Sequence, residues 1–177
     1  MRVRLSAVLE TPDGRLLSLR QDPPNGTPRH LLPGGLVDTP ATDFEHALRR
    51  LLRERFGIKS TIGPLIHIDR TGIHDEYVFA AHDEHVFADQ GADHDTAHSG
   101  DHGDLPGGRG PQLGGPAPSG CRWDGIDLTP AAIHAAAFVP AGVGLLLAGH
   151  LRHGRRPWTL PDIRSRPRPE RRHHRTR

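Results

Sequence analysis

Between Asp83 and Gly120 the chain offers no spacing of apolar residues that a helix or a strand could use. The stretch is built of Gly, Asp, His and Pro, and is far longer than the connections compact domains tolerate without secondary structure. Whatever folds must therefore be assembled from the residues before it and a shorter piece after it. Asp83 to Asp104 holds six Asp and one Glu and neither Arg nor Lys, a like-charge run that reads as a solvated, disordered insertion. The C-terminus is its electrical opposite, with seven Arg against Glu170 from Ile163 to Arg177. The formal net charge of +2 is the sum of these unlike parts. We read residues 1–151 as one domain interrupted by a low-complexity insertion at 83–120, and residues 152–177 as a basic, Arg-rich tail. With 34% hydrophobic residues, the chain has enough apolar material for one modest core, which argues against a second full domain.

Several classes of protein are excluded early. No run of about 18 apolar residues exists, and the most apolar stretch, Ala131 to Leu151, is interrupted by His134, Pro140 and several Gly. Met1-Arg2-Val3-Arg4 leads straight into strand-like sequence with no apolar signal core, so a cytoplasmic protein without membrane association is expected. The lone Cys121 excludes a disulfide framework and any multi-cysteine zinc site.

The elements are legible around the insertion. Val3, Leu5, Ala7 and Leu9 alternate with Arg2, Arg4 and Ser6, the period of a half-buried strand. The turn triplet Pro12-Asp13-Gly14 and the renewed apolar run from Arg15 to Arg20 predict a hairpin. Asp22 to Pro28 is a loop, His30-Leu31-Leu32 a short apolar piece, and Pro33-Gly34-Gly35 a further loop. Asp43 to Phe56 is the clearest helix, because Phe44, Ala47, Leu48, Leu51, Leu52 and Phe56 recur at spacings of three and four. Thr42 or Asp43 can cap its start and Gly57 its end. Ile62–Asp69 and Ile73–Ala81 read as strands, Cys121–Leu128 as a return to order, and Pro130–Ala137 and Pro140–His153 as helices with Pro in the first turn.

Strand, turn, strand, Pro-Gly-Gly and an amphipathic helix ending in Phe-Gly-Ile: this order resembles the Nudix hydrolase family, over roughly residues 2–82 and 121–151. That family's signature runs Gly, five residues, Glu, seven residues, then Arg-Glu-apolar-any-Glu-Glu-any-Gly-apolar. Here the corresponding stretch runs from Gly35 to Ile58, with one extra residue before Thr42, which stands at the first Glu. Arg50 keeps the signature's Arg, Leu51 replaces the next Glu, Glu54 is retained, and Arg55 replaces its partner. The resemblance implies an α/β fold, a mixed sheet sandwiched between helices. It also implies magnesium-dependent hydrolysis of nucleoside diphosphate-linked substrates (a pyrophosphohydrolase).

The chemistry shows what the replacements put at stake. Hydrolysing a pyrophosphate requires a divalent ion to neutralise phosphate oxygens and to activate or orient water, and magnesium takes oxygen ligands. Positions i, i+3 and i+4 share one side of a helix, so the family pattern gathers three carboxylates where this chain has Leu51, Glu54 and Arg55. Glu54 is then the expected catalytic and metal-binding residue. Gly34, Gly35, Asp38, Arg50 and Arg55 are the expected substrate contacts. Asp38 follows in the loop after Gly35. Asp43 shares the angular face of Glu54 but lies about three turns, ~16 Å, away, and Glu45 falls nearly opposite. Asp75, Glu76, Asp83 and Glu84 are candidates for an acid supplied by a later loop. Arg55 admits a different reading, because a guanidinium fork matches phosphate geometry and could bind a diphosphate without metal. Leu51 reads as core.

Three weaker signals complete the inventory. His82, His85, His94, His98 and His102 stand among acids but at irregular spacing, and read as a solvated loop before a zinc or nickel site. Arg164, Arg166, Arg168, Arg171, Arg172, Arg175 and Arg177, with His173 and His174, could hold nucleic acid or an acidic partner. No aromatic residues interleave them, so a solvated tail is the plainer reading. Cys121 has no neighbouring base in sequence and no expected nucleophilic role. Two alternatives to the enzyme therefore stand: a non-catalytic nucleotide- or anion-binding regulatory module, and an interaction protein acting through its tail.

Overall fold

The computed structural model describes residues 2–38, 43–70, 74–83 and 117–165. Seven strands and three α-helices follow one another along this part of the chain. Strands β1 (Arg2–Val8), β4 (Gly34–Asp38), β5 (Ser60–Arg70) and β6 (Asp75–Asp83) form a mixed sheet in the order β4-β1-β6-β5. Within it β1 runs parallel to β6 and antiparallel to β4, and β5 runs antiparallel to β6. Strands β2 (Leu16–Gln21), β3 (Arg29–Leu31) and β7 (Cys121–Ile126) form a smaller antiparallel sheet in the order β3-β2-β7.

The period-2 pattern of β1 divides the two cores. Val3, Leu5 and Ala7 face helix α1 (Phe44–Phe56) and pack with its Leu48, Leu51, Leu52 and Phe56. Val8 faces the other way and joins Val78, Ala80 and Ile66 beneath α2 (Pro130–Ala135) and α3 (Ala141–Arg152), which contribute Ile133, Val143 and Leu147. The mixed sheet is thus covered by a helix on each face, as the resemblance implies. Helix α1 begins where a cap is available, with the Asp43 carboxylate accepting from the His46 amide at 2.9 Å. It ends at Gly57, which takes the left-handed conformation at φ 67°.

Two expectations need correcting. The first two strands do not form a hairpin along their length. They touch through the Glu10–Leu16 bridge and the Leu17 amide to the Leu9 carbonyl, and then part into different sheets. The stretch from Gly34 to Asp38 is a strand and not a loop. Its two glycines carry no side chain, so no alternation marks it in sequence. The insertion at 84–116, with His85, His94, His98 and His102, lies outside the described residues, as do residues 166–177 of the tail.

Residues 152–165, read as the start of the tail, continue onto the body. Two 3₁₀ turns, Pro157–Thr159 and Ile163–Ser165, follow α3, and Leu160 between them is buried in the second core. Arg164 is held by Asp162 at 2.5 Å and by Glu45 of α1 at 2.8 Å, while Asp162 also accepts from the Leu65 amide at 3.3 Å. The Arg164 side chain foremost, helped by the backbone donors, draws the Asp162 carboxyl down to about 2. A carboxyl lowered in the fold adds stability above its ordinary value of 3.8, and that stability is lost as pH falls toward 2. Asp162→Asn should therefore cost about 1 kcal/mol at pH 7 and pH 5, the size expected for a charge-assisted pair partly open to water. The difference from the native chain should shrink steadily between pH 4 and pH 2 in urea-unfolding midpoints. An equal cost at pH 7 and pH 2 would exclude the ion pair as its source.

Candidate functional site

The signature loop and helix meet where the start of β4 passes beneath the last turn of α1. Gly34 faces β1: a Cβ there would stand 2.1 Å from the Leu5 carbonyl oxygen and 2.8 Å from the Ser6 Cα. Only a residue without a side chain lets β4 close on β1 at this point. Gly35 faces α1: a Cβ would stand 2.7 Å from an Arg55 guanidinium nitrogen and 3.0 Å from Leu51 Cδ1. The guanidinium therefore lies directly on the strand backbone at residue 35. Arg55 is four residues after Leu51 and seven after Leu48, so it belongs to the sheet-facing stripe of α1. Being in the final turn, it passes the end of the core and reaches the edge strand.

The other signature residues do not converge with it. Leu51 is core, packed with Leu48 and Leu52. Glu54 is exposed, and its nearest charged neighbour is Arg50, whose Nε lies 3.9 Å away across one helical turn. Arg50 is itself exposed, on the outer side of the helix. Asp38 ends β4 opposite Arg2 in register, and its side chain lies outside the described residues. Asp43 is engaged in capping and Glu45 by Arg164. Asp75 is half-buried at the start of β6, where it pairs in register with Val3 and Arg70. His82 is exposed at the far end of the same strand.

A magnesium ion needs a convergent set of oxygen ligands. Among the described residues no group of three or more His, Cys, Asp or Glu side chains is placed to hold a metal ion. With Leu51 buried, Glu54 alone and a cation at residue 55, the described part of the signature does not fit the ion that the resemblance implies.

Glu76, a candidate partner for Glu54, stands elsewhere. Its neighbours Tyr77 and Phe79 pack toward α1, so Glu76 points to the opposite face of the sheet. There it is 1% exposed. Its Oε1 accepts from the Ser6 hydroxyl at 2.6 Å and lies 3.5 Å from Arg4 Nε. Arg4 also donates to the Leu32 carbonyl at 3.3 Å. Burial pushes the Glu76 carboxyl upward, against the pull of Ser6 and Arg4. This group of three was not legible as a site. Alternation marks Arg4 and Ser6 as polar-facing, which in a strand usually means solvent, and only the sheet order shows that β1 and β6 are central.

A second buried polar group joins the small sheet. Ser18 Oγ lies 3.1 Å from His30 Nδ1 and donates to the Asp124 carbonyl at 3.2 Å, while His30 Nε2 stands 4.0 Å from the Asp124 carboxylate. The residue types are those of an acyl-transfer triad, but Ser18 is 0% exposed. A hydroxyl that no substrate can reach is no nucleophile, so this is a structural network tying β2 to β7 and β3. Desolvation lowers the His30 pKa, against the attraction of Asp124.

Among solved structures the chain is similar to a NUDIX hydrolase from Nitrosomonas europaea, at 16% identity over 88% of this chain and 90% of that one, with a TM-score of 0.51. The E. coli ORF135 protein matches at 23% identity over 88% and 93% of the two chains, with a TM-score of 0.47. The MutT protein from Methanosarcina mazei Go1 matches at 16% over 87% and 95%, with a TM-score of 0.49. No family model matches the sequence, and no curated protein matches it. At such identity the likeness to the Nitrosomonas protein establishes one thing: the chain has a Nudix-type fold.

If residues 51 and 55 alone separate this helix from a metal-binding one, restoring them should create an ion site. The double variant Leu51→Glu, Arg55→Glu places three carboxylates at i, i+3 and i+4. In chelator it should melt lower than the native chain, because position 51 is buried and carries no partner for a charge. Millimolar magnesium should raise its melting temperature by several degrees and leave the native chain unmoved. A magnesium shift in the native chain would show that other residues complete a site.

Proposed function

We propose that this protein is a Nudix-fold binding module for an anionic, nucleotide-type ligand, and that it does not carry out magnesium-dependent pyrophosphate hydrolysis. The observation that carries the reading is the Arg55 guanidinium seated on Gly35, where the family signature calls for a metal-binding carboxylate. A metal bound there would present a positive charge to phosphate oxygens. Arg55 presents one covalently, with a planar fork that matches a phosphate edge. What a guanidinium does not do is lower the pKa of a bound water, so the attacking group has no source in the described residues. Glu54, open to solvent and paired among the described residues with Arg50, does not replace it.

The hydrolase reading survives in one form, with Glu54 and acids outside the described residues assembling a site. A role for the C-terminal arginines in binding nucleic acid or an acidic partner has less support. Arg164, the described member of that set, is engaged by Asp162 and Glu45.

The deciding measurement is equilibrium binding of nucleoside diphosphates, beside a hydrolysis screen on the same compounds. Affinity should be unchanged between millimolar magnesium and excess chelator, no product should accumulate, and Arg55→Ala should weaken binding about tenfold or more, the loss of one charged hydrogen-bonding group. Turnover that requires magnesium and disappears in Glu54→Gln would overturn the proposal in favour of the enzyme.

A further inference from the structure

Helix α3 carries no charged residue from Ala141 to Gly149. A helix on the surface of a small domain ordinarily sets an apolar stripe toward the core and a polar stripe toward water. Here the inward stripe is Val143, Gly144, Leu147 and Ala148. The outward stripe is Ala141, Leu145, Gly149 and Arg152, at helical spacing. Leu145 stands at its centre and is 65% exposed, the most open large apolar side chain among the described residues. The apolar surface runs on to Val139, 43% exposed, and into a cavity of about 160 Å³ between α2 and α3, lined by Ile133, Phe138, Ala141 and Gly144. An apolar patch facing water in this way marks a place where another surface sits.

The face is complementary to itself. One turn after Leu145, Gly149 has nothing within 4 Å of the place where a Cβ would stand. The helix thus offers a knob and, beside it, a hole floored by bare backbone. When two copies of α3 run antiparallel, Leu145 of each enters the hole at Gly149 of the other. That register fixes the ends. Gly142 precedes Leu145 by as many residues as Arg152 follows Gly149, so Gly142 and Arg152 stand opposite each other. The Asp69 carboxylate lies against Gly142, with no Cβ to keep it away. Arg152 is exposed in the last turn of α3. Neither Asp69 nor Arg152 is in an ion pair among the described residues. The antiparallel copy brings Asp69 to Arg152 at both ends, and sets the acidic end of each helix against the basic end of the other.

We infer that α3 is the contact of a homodimer, in which a second copy of this chain lies antiparallel across Ala141, Leu145 and Gly149, with Asp69 and Arg152 paired across each end. The centre of the contact is free of charges, which would lose their water there. Bare backbone at Gly149 lets the two helix axes approach closely. The 12 residues of α3 span about 18 Å. A contact of that size makes a weak, exchanging dimer. The face lies across the mixed sheet from α1 and Arg55, so the pairing does not cover the proposed anion site.

The test is sedimentation equilibrium of the full-length chain over about 1 to 500 μM, the range in which a weak dimer exchanges. The average mass should climb from that of one chain toward that of two. Leu145→Asp puts a charge at the exposed centre and should weaken association by about tenfold or more. Gly149→Gln separates pairing from folding. It fills open space and replaces a poor helix former with a good one, so the single chain should melt higher, while the dimer should weaken by about tenfold. Asp69→Asn and Arg152→Gln should each weaken association about threefold, and the double variant no further than either alone. Losses that add would overturn the antiparallel register. A chain that keeps the mass of one copy at every concentration would overturn the inference, as would a dimer indifferent to Leu145→Asp and Gly149→Gln. A chain that stays single but sediments with phosphatidylcholine vesicles, and ceases to in Leu145→Asp, would give the face to a lipid surface in place of a second copy.

Discussion

Three segments crowd together at Gly34-Gly35, and most of the molecule is arranged around that approach. At residue 34 the backbone of β4 lies so close to β1 that a methyl group would overlap the Leu5 carbonyl. One residue later the strand presents a bare Cα to α1, and Leu51 and Arg55 settle onto it. The first contact fixes the edge of the mixed sheet. The second fixes how deep the helix sits, and with it the packing of Leu48, Leu52 and Phe56 against β1. It also decides where a positive charge can stand. A larger residue at 35 would lift the guanidinium from the strand, so the charge and the core share one geometric condition.

Helix α1 was legible to within a residue, because its apolar spacing, its Asp43 cap and its Gly57 stop all agree. The strand β4 was not, since the glycines that let it fit are the residues that erase its pattern. The apparent hairpin of β1 and β2 misled for a related reason. Turn residues at Pro12-Asp13-Gly14 say that the chain reverses, but not whether the reversed strand stays in the same sheet. Alternation in β1 separated Leu5 from Arg4 and Ser6 correctly. It could not say that both faces are covered, which depends on β6 arriving from far along the chain. That is why a buried carboxylate, an arginine and a serine escaped notice as a group. The position of Arg55 in the helix stripe was readable, and its contact with Gly35 was not, because spacing within one element carries no information about its neighbours.

The C-terminal arginines show the same limit from the side of charge. A run of Arg with one Glu reads as a solvated tail when only sequence neighbours are counted. Arg164 finds its acids at Asp162, two residues away, and at Glu45, on a helix in the first half of the chain. Its guanidinium also lies 5.8 Å from the centre of the Phe79 ring. The body therefore extends at least to residue 165, and the 3₁₀ turns there brace β5 against α1 through the Leu65 amide.

Exchanging a carboxylate for an arginine at residue 55 does more than delete a ligand. A carboxylate at that place would be neutralised by whatever ion it held, and the ion's surplus charge would face the phosphate. An arginine supplies positive charge itself and repels a cation, so under the binding-module proposal no metal is needed at that place. Leu51 acts in the same direction by another route: it joins the core, and a buried apolar side chain cannot be exchanged for a charge without loss of stability. Reversing either position alone therefore leaves an unfavourable intermediate, a glutamate beside a guanidinium or a buried charge without its ion. Residues 51 and 55 are linked through the space above Gly35, against which both Leu51 and the Arg55 guanidinium lie.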